Sequence, residues 1–495
     1  MKGAPMMRKK AFEELVSSIM DNDLDISERS IPFKGGVVKL FYICQLTDRA
    51  ALTEDVVKPL VVYCAYAKMH LHAQSTVDEI IYADSCKVES DQDRVLEFIL
   101  SGMTVMLFST DSNYVVINLK KVAKRAIDSP QLTYTLRGPQ DSFTESLESN
   151  LSLVRYRVKD PNLCIKHFVV GERTKAAVAV IYIKDIANDI AVGEVEKRIR
   201  DIHVDGIGES GELQSYMLNN GRSLFPQMGL IERSDMAYHS LLEGKVLVLV
   251  DGSGVAIYAP KVFSEFFYSC DDRYDNKFYG AFNRFLRYVS IAIGLTASSI
   301  YVAITSFHTE VLPSDYAISL AQMRVNVPFS ALVGTLTLEF IMELLREALL
   351  RVPKQIGPAV GIVGAIVIGQ AAIAAGFFSA VLLTIAAVSL LASFAIPDYT
   401  LVSPFRILKF VLILFTGSLG FFGFTLCLTA IISGLVSINS FGVPYMAPIA
   451  PFNARDMHSA LINRSDTSTH RPAYLNLKDR IRMRMRSSQK KKEDS

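Results

Sequence analysis

The sequence predicts an α/β soluble N-terminal region of two subdomains, followed by an all-α polytopic membrane domain. Three observations carry that prediction. From Tyr288 to Ser437 the chain is almost continuously apolar, broken only by short polar loops. Ahead of that stretch, short β-branched runs alternate with helical segments, and they do so twice, as small α/β units require. Half of the 495 residues are hydrophobic, yet the net charge is only +2. That length leaves room for a sizeable soluble part, and that charge implies no nucleic-acid partner.

The elements follow in chain order. Residues 1–35 are polar and read as an extension holding a short helix and a linker. The first α/β subdomain is expected over 36–136. Val37–Leu46, Met103–Phe108 and Asn113–Asn118 read as strands, and Thr53–Tyr66 and Asp91–Leu100 as helices. Residues 137–275 should hold a linker helix and a second α/β subdomain. Ser142-x-x-Glu145 is a capping-box signature, which predicts a helix starting at Phe143 with Leu147, Leu151 and Val154 on its apolar face. Lys166–Val170 and Ala177–Ile183 read as strands, and Val192–Ile202 as a helix. Val246–Val250 and Val255–Tyr258 flank Asp251-Gly252-Ser253-Gly254, a hairpin signal. Those glycines lie between two strands, with no GxxxxGK[ST], so turn chemistry and not phosphate binding is the reading. Gly206, Gly208 and Gly211 are read the same way.

The membrane domain is expected over 284–437, with four or five helices. About 20 apolar residues suffice to cross a bilayer. Tyr288–Phe307, Gly357–Gly376, Ser379–Pro397 and Ile407–Val436 all qualify, the last with only Lys409 as a charge. Pro328–Leu350 differs from them. Thr335, Glu339, Glu343, Arg346 and Glu347 share one arc of a helix, opposite Leu, Phe, Ile and Met. Ionisable groups at membrane depth face a cavity or one another, so these five are candidate pore-lining residues. The competing reading is an amphipathic surface helix with charges paired along it. Gly357, Gly361, Ala365 and Gly369 recur every fourth residue, a small-xxx-small stripe for helix packing. Gln370 in the same run should face protein or water. Arg284 and Arg287 before the first span favour a cytoplasmic N-terminal region. Residues 438–495 form a basic tail, expected to be disordered and suited to an anionic leaflet.

No catalytic constellation emerges. The eight histidines are scattered, Ser253 is not in a GxSxG elbow, and the six cysteines form no CxxC. The expectation is a binding or coupling protein, not an enzyme, with no cofactor and no metal.

Several stretches carry a specific resemblance. They are RGPQDSFTESLESNLSLVRYRVKD (137–160), VVGERTKAAVAVIYIKDIAN (169–188), IERSDMAYHSLLEGKVLVLVDGSGVAIYAP (231–260), LLREALLRVPKQIGPAVGIVGAIVIGQAA and NSFGVPYMAPIAP. The chain resembles the GerA family of spore germination proteins, specifically A subunits of nutrient germinant receptors. Gln140-Asp141, Ser234 and Gly254 depart from the family pattern. The resemblance implies an integral protein of the spore inner membrane with a cytoplasmic N-terminal domain. It implies B and C subunits as partners, a homo-oligomer with a pentamer as one size, contact with membrane lipid, and monovalent cations as permeant. Two functions stay open at this point: a subunit of a ligand-gated cation channel, or a non-conducting scaffold that couples the B subunit to downstream proteins.

Overall fold

The computed structural model describes residues 12–13, 16–17, 19, 25–33, 36–66, 71–121, 141–218, 223–273, 276–352, 369–461 and 470–481. The chain divides into two compact units. One comprises 1–221, 228–260 and 469–495, and the other 222–227 and 261–468.

The first unit is built on two five-stranded sheets. One contains β1 (Ile26–Phe33), β2 (Gly36–Ile43), β3 (Cys86–Glu89), β4 (Thr104–Phe108) and β5 (Tyr114–Ile117), in the order β1-β2-β4-β5-β3. The other contains β6 (Leu163–Val170), β7 (Ala176–Ile183), β8 (Gly229–Ile231), β9 (Val246–Val250) and β10 (Ala256–Ala259), in the order β6-β7-β9-β10-β8. Both sheets are antiparallel, and their strand order is the same. The central strands are continuous apolar runs because both faces are covered. Every residue of β4, β5 and β9 is buried. The β9–β10 hairpin turns at Gly252, whose φ of +86° suits glycine, and pairs Ile257 with Val248.

Four expectations change in this unit. Residues 26–33 are a strand, not a linker; half of this edge strand is charged or exposed, so alternation is weak. The linker helix runs Leu147–Arg157 and is capped by Ser146, not Ser142. Ser142 bridges Arg233, and the Phe143 N–H donates to the Glu232 carbonyl at 2.7 Å, so tertiary pairing takes the backbone that the capping box would have used. Gly211 lies inside the Ser210–Met217 helix, whereas Gly206 and Gly208 lie in the loop before it. Finally, residues 470–481 of the tail are ordered against the second sheet's subdomain. Arg471 donates to the Leu242 carbonyl at 2.8 Å and to the Ile481 carbonyl at 3.0 Å. Leu475 and Leu477 are buried, and Leu477 sits over Gly244, where a Cβ would come within 2.4 Å of it. Two leucines and a satisfied arginine outweigh the ordering entropy that the tail's basic composition suggested. The expected subdomain boundary near 136 lies outside the described residues.

The second unit is helical, and its main stretch runs from 261. Phe263, Phe266 and Phe267 pack in its core with Leu401, Leu435 and Tyr445. Its long helices are Lys277–Ser306, Ala331–Arg351, Ala380–Phe394 and Tyr399–Ser437. Phe278–Ser306 and Tyr399–Ser437 are long and apolar enough to cross a membrane. The last is not one rod. Gly420 has φ +63° and ψ −144°, which breaks it into 399–419 and 421–437. A Cβ on Gly423 would lie 2.1 Å from the Phe415 carbonyl oxygen, whereas a straight helix holds such residues about 12 Å apart. The chain therefore folds back, and the run read as the single span Ile407–Val436 is a helical hairpin. Apolarity is blind to this, because both arms are apolar.

The two ends of the bundle are defined by contacts. At one end Gly420 approaches Phe307, Gly417 approaches Leu332, Gly376 approaches Asn326, and Tyr301 meets Ser379. At the other, Arg346 reaches Ser393 and Arg406 reaches Glu343. The outward faces carry exposed apolar side chains, among them Phe340, Leu344, Leu391, Leu414, Phe422 and Ile432.

Candidate functional site

The polar residues of the helical unit converge between its helices. The Glu339 carboxylate accepts from Ser298 Oγ at 2.5 Å and from Lys409 Nζ at 2.5 Å. Lys409 also donates to Ser389 Oγ at 2.8 Å, and Ser389 donates to the Gly294 carbonyl at 3.0 Å. One turn along, Glu343 accepts from Arg346 at 3.0 Å and from Arg406 Nε at 2.7 Å. Arg346 donates in addition to Ser393 Oγ at 2.9 Å and lies over the Phe394 ring. Four helical segments are pinned together in this way. Ser298, Glu339, Ser389 and Lys409 are all buried, so each charge is stabilised only by its partners. Removing one member of such a pair costs about 3–5 kcal/mol.

A cavity of about 30 Å³ lies beside the cluster, lined by Gly294, Glu343, Arg346, Ser389, Arg406 and Lys409 among others. That is room for one or two water-sized particles, at roughly 15 Å³ each.

The five residues singled out on Pro328–Leu350 do not share one environment. Thr335, Glu339 and Arg346 are buried, Glu343 is half-buried, and Glu347 is exposed and paired with Arg351 at 2.8 Å. Glu339 faces Lys409 inside the chain. Pairing along the helix is also present, in Glu343–Arg346. Of the small-residue stripe, Gly357, Gly361 and Ala365 lie outside the described residues. At Gly369 a Cβ would meet Leu383 at 3.5 Å, an ordinary contact. Gln370 is exposed. The sequence reading missed Lys409, Arg406, Ser298, Ser389 and Ser393. One signal was available: Lys409 is a charge inside an apolar run, and such a charge needs a partner.

Arg284 and Arg287, read as topology signals, are engaged by protein. Arg287 donates to Asp272 at 2.6 Å, and Arg284 lies 3.4 Å from the same carboxylate and donates to the Ala460 carbonyl. Among the described residues no three His, Cys, Asp or Glu side chains are grouped to hold a metal ion.

Comparison with known proteins gives the family. The model of the "Bacillus/Clostridium GerA spore germination protein" family matches residues 12–474. The chain belongs to the GerA family. It is 36% identical over 450 residues to spore germination protein B1 of Bacillus subtilis (strain 168), covering 90% of this chain and 92% of that protein. It is 35% identical over 462 residues to spore germination protein GerLA of Bacillus cereus, covering 92% and 93%. A solved structure, the N-terminal domain of the A subunit of the Bacillus megaterium spore germinant receptor GerK3, overlays with a TM-score of 0.38 at 23% identity. It spans 50% of this chain and 93% of that one. The GerA match takes in both the α/β unit and the helical unit of this GerA-family chain.

Proposed function

We propose that this GerA-family chain is the A subunit of a nutrient germinant receptor, acting with B and C subunits in the spore inner membrane and forming, as a homo-oligomer, a gated path for monovalent cations. The observation that supports conduction most is a charged and hydroxyl-rich interior inside a helical unit whose outer faces are apolar. Lipid accounts for the outside, and a polar interior is where an ion path runs. In this reading Glu339 and Glu343 supply the acidic surface, and the cluster is the closed lock: conduction requires Glu339 and Lys409 to part. The chain leaves the α/β unit at 260 and rejoins it at 469. In this reading the N-terminal region and the tail share the cytoplasmic side.

The test uses spores carrying the altered chain. Glu343→Gln should reduce potassium release after nutrient addition several-fold, with subunit amounts unchanged by immunoblot. In a Thr335→Cys chain, a charged thiol reagent should block release only when added together with nutrient, because Thr335 is buried in the closed form. Normal release from Glu343→Gln, with an inert Thr335→Cys, would leave the scaffold reading standing.

A further inference from the structure

The cluster holds more positive than negative charge. Glu339 is answered by Lys409 and Glu343 by Arg406, each in a direct ion pair. Arg346 is the surplus cation, since it shares Glu343 with Arg406. Two carboxylates against three cations leave one positive charge uncompensated within the cluster. In a low-dielectric interior an uncompensated charge is strongly disfavoured. Donors are also in surplus. Arg346 Nε is buried and has no hydrogen-bond partner among the described residues, and the residue is only 7% exposed. The Lys409 ammonium carries three N–H donors, and two of them go to Glu339 and Ser389. Both residues line the 30 Å³ cavity.

We infer that this cavity is a binding site for a small monovalent anion of halide size, held by Arg346 and Lys409 and completing the charge balance of the helix lock. The space takes one or two water-sized particles. It excludes an amino acid or an organic phosphate. A divalent anion would overshoot neutrality. The anion would bind the closed arrangement, in which the three cations are together, and so stabilise it. This inference concerns the lock and does not depend on the chain conducting ions.

Full-length protein purified in detergent provides the test. Its melting temperature should be a few degrees higher in sodium chloride or bromide than in sodium gluconate at equal ionic strength, as expected for a ligand that binds only the folded state. Radiolabelled chloride should bind once per chain. Arg346→Gln removes the surplus charge while leaving both glutamates paired, so it should abolish the halide response and the binding. Arg346→Lys, which keeps the charge, should retain part of both. A wild-type melting temperature that is the same in chloride and gluconate overturns the inference, as does labelled chloride that fails to bind. So does an Arg346→Gln protein that responds as strongly as the wild type. Should Arg346→Gln not fold, the wild-type salt response and the Arg346→Lys protein still decide.

Discussion

In the α/β unit the most deeply buried ion pairs join residues that are neighbours in sequence: Arg233 with Asp235, at 2.7 Å, and Lys245 with Glu243, at 3.4 Å. In the helical unit the pairs that join separate helices are far apart along the chain: 70 residues separate buried Lys409 from buried Glu339, and 63 separate half-buried Arg406 from Glu343, whereas the buried Arg284–Asp272 contact is a more local one. The difference reflects where each unit is allowed to put charge. A sheet with water nearby keeps its centre apolar, as β9 does, and uses charge pairs to tie local turns. A helical bundle with an apolar exterior turns its charges inward, and there they join separate helices. A local pair costs little entropy to form, because the chain already holds its members close. A remote pair fixes tertiary structure and is correspondingly sensitive to the loss of either member.

The sharpest way to break this comparison is Glu339→Gln. It leaves Lys409 buried without a counter-charge and should destabilise the helical unit by about 3–5 kcal/mol, read as a lower melting temperature of the full chain in detergent. The double change Glu339→Leu with Lys409→Met should recover most of that loss, because it removes both charges. A single change that melts like the wild type would show that the remote pair does not hold the helices. Next in size is Leu477→Ala, about 2–4 kcal/mol. It strips the tail from its seat over Gly244, a long-range tie in a unit whose deepest ion pairs are local. Hydrogen exchange should rise in Asp189–Arg200 and around Gly244 while the helical unit keeps its protection. Gly420→Ala should cost about 1–3 kcal/mol, because a side chain is forced into a glycine-only conformation with its Cβ 3.1 Å from the Phe307 ring. Disruption of the hairpin would appear as lost protection in 421–437.

The smallest effect concerns pH. Burial would raise the Asp141 carboxyl, but hydrogen bonds from Ser234 and Arg157 outweigh it and hold the group below its ordinary value of 3.8. A depressed acid contributes stability above its unfolded value and loses it as pH falls through the folded one. Asp141→Asn should therefore flatten the acid limb of the α/β unit's stability below about pH 4, and change little at neutral pH beyond loosening the Arg157 contact. An unchanged acid limb would mean that the Asp141–Arg157–Ser234 contact carries no linkage.

Much of the α/β unit was legible in the sequence. β7, β9, β10 and the Gly252 turn were readable because a continuous β-branched run and a turn glycine are local signals. The apolar stretches of the helical unit were equally plain, since roughly 20 lipophilic residues in a row match the thickness of a bilayer core. Less legible were β1, whose charged edge offers weak alternation, and the helix start at Ser146, where a long-range bridge to Arg233 overrode a good local cap.

What the sequence alone determined was composition along the chain: which segments are apolar, which turn, and that one helix in the second half carries an acidic stripe. Only the tertiary structure decided the partners. That Lys409 answers Glu339, that residues 399–437 fold back at Gly420, and that a basic tail returns to the loops around Ile186 and Gly244 all depend on contacts between segments brought together from different parts of the chain. The physical reason is that pairing energy and burial are properties of two surfaces in contact, whereas spacing and hydropathy describe one surface at a time.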